Sequence, residues 1–296
     1  MNMGAADPLL DGLFSDAVAA IDGGDLARIQ RLLARHPELA TARLEAPGPW
    51  LRDAVGNALD GFFARPYLLW FVAEDPVRAG RLPPNITEIA RAIIDAARRH
   101  DARSLPTQLD QALRLVSWSG IAAQAGMQIP LIDALVQAGA APADIADNAL
   151  VNRHVAAAER LIELGGQLTL ASAVCLERWD LIPSFFAEAN DGLKQMSLVL
   201  AALNGKARGV RWLLEHGVPP NQPSADLYAH GRPLHHAVCS GSLDTVKALV
   251  ESGADPTIAD CAWNGTPLGW AEHYVEESGP DRRGRYLDIA EYLRTL

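Results

Sequence analysis

The side chains with the most chemical potential gather in the last third of the sequence. His230, His235 and His236 stand close together, and His273 follows at the matching place of a later segment. Imidazoles this near one another raise metal binding first, which needs ligands converging on a single point. His235 and His236 are consecutive, and consecutive residues on a helix face different ways. Their spacing therefore predicts side chains that serve the fold rather than an ion. Cys175, Cys239 and Cys261 show no metal-ligand spacing. Cys175 and Cys239 share a register position with Leu203, which predicts packed thiols, because free Cys behaves as a small hydrophobe. A nucleophilic thiol would need an activating base or a positive field and is not expected. Gly205-Lys206 lacks the upstream Gly and the following Ser/Thr of a phosphate loop. There is no GxGxxG, GxSxG or HExxH. The expectation is a chain with no catalytic residue, no bound metal and no cofactor.

Charge narrows the classes further. The 296 residues carry 36 acidic against 26 basic side chains, a formal charge of −10. Hydrophobic residues at 49% and charged ones at 21% fit a folded globular chain. A chain this long can bury a core without disulfides or a structural metal. The acidic excess argues against non-specific nucleic-acid binding, which comes from Lys and Arg neutralising phosphates, and against an anionic membrane surface. Ser, Gly, Gln and Pro interrupt the uncharged stretch from Leu115 to Ile132, so it is not expected to span a bilayer. The opening MNMGAADPLLDGLFSD has neither a basic n-region nor an apolar h-region. With few cysteines, and an odd number of them, a cytoplasmic monomer is expected.

These residues are carried by a repeat. Pro233-Leu234 recurs as Pro267-Leu268, and LVLAALNGKARGVRWLLEHGVPPN aligns upstream, pairing Gly205 with Gly241, Leu213 with Leu249 and Gly217 with Gly253. Leu213-Leu214 is matched by Phe185-Phe186, Leu161-Ile162, Leu135-Val136, Ile93-Ile94 and Leu32-Leu33. Three residues before each pair stands Val210, Ile182, Ala158, Ile132, Ala90 or Ile29. Apolar positions at i, i+3 and i+4 make one helix face. Gly139, Gly165, Gly217 and Gly253 then fall where a helix ends in a left-handed residue. Gly24, Gly205 and Gly241 sit at the turn before such a helix. Each unit reads as a short helix, a tight turn, a second helix and a loop. Such a unit cannot bury its apolar face alone and must stack.

Pro-Leu-His-His-Ala at 233–237, Thr-Pro-Leu at 266–268 and Ser-Gly-Ala-Asp-Pro at 252–256 resemble ankyrin repeats. The resemblance is to a bacterial-type member with divergent N-terminal repeats. It implies an all-α ankyrin-repeat solenoid of about eight helix-turn-helix units over residues 1–296, divergent with insertions in 1–144 and more regular in 145–296. Arg232 replaces the family Thr and Gly269 the family His, which weakens local turn hydrogen bonds but not helix pairing. His235 matches the turn-bracing His of the family. Insertions are expected at 43–66, 74–85 and 276–285, the last splitting the final unit before Tyr286–Leu293.

The resemblance implies a non-catalytic scaffold that binds another protein through a concave face and loop tips. By position the contact residues are Tyr228, His230, Ser240, Trp263, Asn264, His273 and Tyr274. Trp70, Trp212 and Trp270 fall within helices and are expected to pack. Trp50 and Trp263 lie in connections, where an exposed aromatic suits an interface. The alternative is an enzyme or small-ligand sensor whose pocket draws on Trp50, Arg52, Asp53, Trp118 and the loop Glu74 to Asn85.

Overall fold

Apolar residues spaced three and four apart fix the building unit. In the computed structural model, which describes residues 8–296, Ile29, Ala90, Ile132, Ala158, Ile182 and Val210 are all fully buried. They are the six positions that the spacing placed on the inward helix face. The turns agree. Gly139, Gly165, Gly217 and Gly253 follow helix ends with φ of 113°, 98°, 87° and 88°, while Gly24, Gly205 and Gly241 take 70°, 68° and 73° between paired helices. A side chain at those angles would bring Cβ against the following carbonyl, so glycine marks where these helices stop. Among the described residues every regular element is helical.

The chain divides into two compact units, one running to Gln167 and the other from Leu168 to Leu296. The first contains α1 (Pro8–Asp22), α2 (Leu26–Arg35), α3 (Glu38–Thr41), α4 (Pro49–Val55), α5 (Ile86–Arg99), α6 (Leu105–Trp118), α7 (Gly120–Gln124), α8 (Gln128–Ala138), α9 (Ala146–Val151) and α10 (Val155–Glu163). Here α1 pairs with α2, α6 with α8, and α9 with α10. The partner of α5 is only a short 3-10 helix, Leu68–Ala73, buried along its whole length. The insertion 43–66 is not plain loop, because Pro49 after Gly48 starts α4 and a 3-10 turn, Gly56–Asp60, continues it.

The second unit is more regular. It holds α11 (Leu170–Cys175), α12 (Ile182–Glu188), α13 (Asp191–Leu203), α14 (Ala207–Glu215), α15 (Pro233–Ser240), α16 (Leu243–Glu251), α17 (Pro267–Glu277) and α18 (Pro280–Arg294). The first helices α11, α13, α15 and α17 lie side by side in that order. Their inward residues Val174, Leu198, Ala201, Leu234, Ala237 and Ala271 share one core with Val210, Leu213, Val246, Leu249 and Ile289 from the second helices. Side chains such as Leu213 and Leu249, each at 0% exposure, contribute about 1.5–3 kcal/mol apiece.

One expectation needs correction. Residues 276–285 do not form a loop that splits the last unit: α17 continues to Glu277 and α18 already starts at Pro280. Proline is preorganised for the first helical turn, so only a brief break remains. Phe185 and Phe186, like Leu214, are half-buried against the core of the second unit, and Phe186 meets Trp212 edge-on at 5.2 Å.

Candidate functional site

The site begins with how α15 and α17 are started. Proline opens each helix, and the residue before it must be held. At α17 the Thr266 hydroxyl oxygen accepts the Gly269 N–H at 3.2 Å. At α15 the corresponding residue is Arg232, whose guanidinium has no acceptor. The brace there runs the other way: Arg232 N–H donates to His235 Nδ1 at 3.1 Å, and His235 Nε2 donates to the Gly265 carbonyl at 3.0 Å. Each helix thus keeps the half of the turn lock that its own residues can make.

Gly265 belongs to a loop, 255–266, that lies against the loop carrying Tyr228 and His230. Cys261 N–H donates to the His230 carbonyl at 2.9 Å, and Asp260 N–H to the Gly265 carbonyl at 2.9 Å. Asp260, 3% exposed, organises the tip. Its Oδ1 accepts from the N–H groups of Ala262 and Trp263 at 2.8 and 2.7 Å. Its Oδ2 accepts from Gly265 N–H and Trp270 Nε1, both at 2.9 Å. Burial alone would raise the carboxyl. The hydrogen bonds from Trp263, Trp270, Gly265 and Ala262 outweigh it and hold the pKa at about 2. Gly265 is required by close approach, since a Cβ there would sit 3.0 Å from Trp270 Cδ1.

On this frame the rings assemble. His230 lies 5.1 Å from Trp263, 6.1 Å from Trp270 and 5.9 Å from Tyr228, centroid to centroid. Trp263 meets Trp270 at 5.8 Å and remains 70% exposed, while Tyr228 is 38% exposed. Tyr228 and Asn264 hold left-handed backbone, φ 50° and 56°, an uncommon conformation for residues with a Cβ. Behind them His236 is buried, and burial followed by the neighbouring His230 and His235 lowers its pKa to about 4. Burial also lowers His235. Both imidazoles are therefore neutral at neutral pH. His235 is spent on the two loops and diverges from His236, and among the described residues no group of three or more His, Cys, Asp or Glu is placed to hold a metal ion.

The structure brings Tyr228, His230, Trp263 and Asn264 together at two adjoining loop tips. Ser240 closes α15, while His273 and Tyr274 lie side by side on α17. Ser240 Oγ donates to the Ala237 carbonyl at 2.6 Å. Tyr274 Oη donates to Cys239 Sγ at 3.2 Å, and its ring stacks on Tyr286 at 4.9 Å. His273 is exposed beside it, 5.7 Å from the Tyr274 ring. Cys175 is buried and Cys239 half-buried, as a position shared with Leu203 requires.

In the first unit the polar groups proposed for a pocket are turned to local use. Trp50 Nε1 donates to Asp11 Oδ1 at 2.9 Å, and its ring stacks on Phe71 at 6.4 Å. Arg52 Nε donates to the Pro47 carbonyl at 3.0 Å. Trp118 meets Phe62 edge-on at 6.0 Å, and Asp53 is exposed. The loop after Glu74 closes on that residue's own carboxylate, whose Oε1 accepts the N–H groups of Arg78, Ala79 and Gly80. Arg78 Nη2 pairs with Glu74 Oε2 at 2.8 Å and Asp22 Oδ1 at 2.9 Å. Burial and the Glu74 charge raise Asp75 to about 6.

Sequence reasoning passed over Asp260, the Glu74–Arg78 pair and the box at α11, where Thr169 and Ser172 exchange backbone-to-hydroxyl bonds of 2.8 and 3.1 Å. The repeat register held one signal. The offset that pairs Pro233 with Pro267 also pairs Asp226 with Asp260 and Gly231 with Gly265.

A stack of paired helices with glycine-stopped ends and bonded loop tips defines the ankyrin type of repeat. The family model described as ankyrin repeats matches residues 120–260 in three copies, so this stretch of the chain is similar to ankyrin repeats. Human cyclin-dependent kinase 4 inhibitor B is 40% identical over 91 residues, 31% of this chain and 56% of that protein. The Bos taurus protein of the same name is 39% identical over 90 residues, 30% of this chain and 59% of that one. Human cyclin-dependent kinase inhibitor 2A is 39% identical over 90 residues, 30% of this chain and 49% of that protein. The chain thus spans about half the length of these curated relatives. The human ASB11 ankyrin repeat domain, a solved structure, is 17% identical with a TM-score of 0.32, covering 66% of this chain and 92% of that one. Among the described residues no helix is long and apolar enough to cross a membrane.

Proposed function

We propose that this chain is a non-catalytic scaffold that binds a partner protein through the loop tips and first-helix face of its C-terminal repeats. Tyr228, His230, Trp263 and Asn264 supply the tips, and Ser240, His273 and Tyr274 the helix face. The same proposal takes residues 1–296 as one ankyrin-type array and places it in the cytoplasm. The observation that carries the reading is Trp263. Its indole is 70% exposed, yet its backbone is fixed by a buried, ionised Asp260. A large apolar side chain held rigidly in water loses little further entropy on binding, which is how interface anchors gain their energy.

The test is affinity capture from the native cell with mass spectrometry, comparing the parent with Trp263→Ala and with Trp263→Ala/Tyr274→Ala. A purified cyclin-dependent kinase serves as one defined bait, since the similar proteins are named as inhibitors of such kinases. A specific partner should be retained by the parent and weakened by at least roughly ten-fold in the single variant, as for an interface anchor. Tyr274 is half-buried, so melting curves accompany the double variant and the exposed Trp263 substitution stands without it. Retention of every partner as tightly as by the parent would place the contact surface elsewhere.

A further inference from the structure

We infer that the Trp263 surface receives an arginine-bearing basic segment of the partner, with the guanidinium laid on the indole face and Asp226 as its counter-ion. This inference rests on the protein-binding reading and names the chemistry of what is bound. Four observations point the same way. Trp263 is 70% exposed and meets His230 at an interplanar angle of 83° and Trp270 at 64°. Neither neighbour stacks on the indole, and with most of its surface in solvent the ring is accessible to a cation.

Elsewhere the chain fills such faces itself. The Arg208 guanidinium lies 3.9 Å from the Trp179 ring centroid, Arg43 lies 4.6 Å from Tyr67 and Arg78 lies 4.9 Å from Phe71. Among the described residues Trp263 has no cation over it.

Charge supplies the third argument. Between residues 221 and 279 stand eight acidic side chains (Asp226, Asp244, Glu251, Asp255, Asp260, Glu272, Glu276, Glu277) against Arg232 and Lys247. That segment therefore holds more than half of the chain's −10, and such a field attracts and steers a basic segment while repelling acidic peptides, nucleic acid and anionic lipid.

The fourth is the contrast between the two register-matched aspartates. Asp260 is sealed by four donors, whereas Asp226 is exposed, two residues before Tyr228 and without a hydrogen-bond or ion-pair partner among the described residues. Arginine is favoured over lysine because the planar guanidinium stacks and is weakly hydrated, while an ammonium gives up more hydration to reach a ring.

The experiment is a fluorescence-anisotropy titration of the full chain with short labelled peptides alternating Ser with Arg, Lys or Glu, at low and at physiological salt. The Arg peptide is expected to bind, the Lys peptide several-fold more weakly, and the Glu peptide not at all. Trp263→Ala should weaken the Arg peptide by roughly ten-fold, equivalent to a cation–π contact of about 1.4 kcal/mol. Asp226→Asn should weaken it less and flatten its salt dependence, while Trp179→Ala leaves it unchanged. Equal binding of Arg and Lys peptides that survives Trp263→Ala is loose attraction to an acidic protein and overturns the inference. So does any partner captured through Trp263 that excess Arg peptide fails to displace, an outcome under which the scaffold reading itself still stands.

Discussion

At the scale of single residues, the buried histidines give this protein a pH signature. His236 titrates near 4 in the folded chain, because burial, and then His230 and His235, oppose its charged form. An unfolded chain takes up the same proton near 6.5. A folded pKa below the unfolded one means that the contribution is complete above about 6.5 and is lost as pH falls toward 4. Its size is about 3 kcal/mol. His235 is shifted in the same direction by burial. Asp260, held near 2, loses its contribution only below the ordinary aspartate value near 4, so it stays outside this window. Asp75 has the opposite sign. Its pKa is raised to about 6, so folding favours the protonated acid, and that stability is lost as pH rises through 6. Urea titrations read segment by segment with hydrogen exchange should therefore show residues 168–296 weakening from pH 7 to pH 4, while the region around Asp75 gains. His236→Phe should flatten the first slope and leave the second. A slope unaltered by that substitution would mean that other groups carry the acid sensitivity.

At the scale of elements, what the sequence disclosed was local. Ile29, Ala90 and Val210 announce their helices because i, i+3 and i+4 spacing is a property of the chain itself, and Gly217 or Gly253 announces a stop because left-handed backbone excludes most other residues. The tip loops were legible only as positions. Trp263 could be placed in a connection, but the carboxylate that fixes it lies three residues away and bonds across to Trp270, which no periodicity reports. Insertions were hardest: Pro280 opens a helix where charged residues suggested loop, and Glu74 gathers its own loop by bonds from the following N–H groups to its carboxylate, which no apolar spacing reports. One hidden cost can be relieved. Glu177 occupies the turn between α11 and α12 with φ 56°, in the role that glycine fills before α14 and α16. Left-handed backbone costs a side-chain-bearing residue about 1–2 kcal/mol, partly offset by the greater flexibility of an unfolded glycine. Glu177→Gly should thus raise stability by up to about 1 kcal/mol. The mirror variant, Gly205→Ala, places a Cβ 3.2 Å from Ser242 Cβ at φ 68° and should lower it by about 1–2 kcal/mol. Denaturant midpoints check both, and a destabilising Glu177→Gly would show that this turn is unstrained.

At the scale of the whole molecule, the proposal of one array from residue 1 to residue 296 has a thermodynamic consequence. Each module of a repeat array owes part of its stability to its neighbours, so damage in one place is felt by the next and fades along the chain. A compact unit of independent stability would confine the same damage within its own boundary. Leu213→Ala is a suitable lesion, since Leu213 is fully buried in the core of residues 168–296 and the truncation costs about 2–5 kcal/mol. Under the single-array proposal, exchange protection in the intact chain should fall most around α14 and measurably in α8 and α10, with the smallest change at α1 and α2. Protection that drops throughout residues 168–296 and is unmoved before Gln167 would replace one array by two folding units meeting at the division of contacts near residue 168. The distinction reaches function through linkage. A partner bound at Trp263 stabilises whatever is coupled to that site by RT ln(1 + [L]/Kd), so saturating partner should protect α8 and α10 only if the array is continuous.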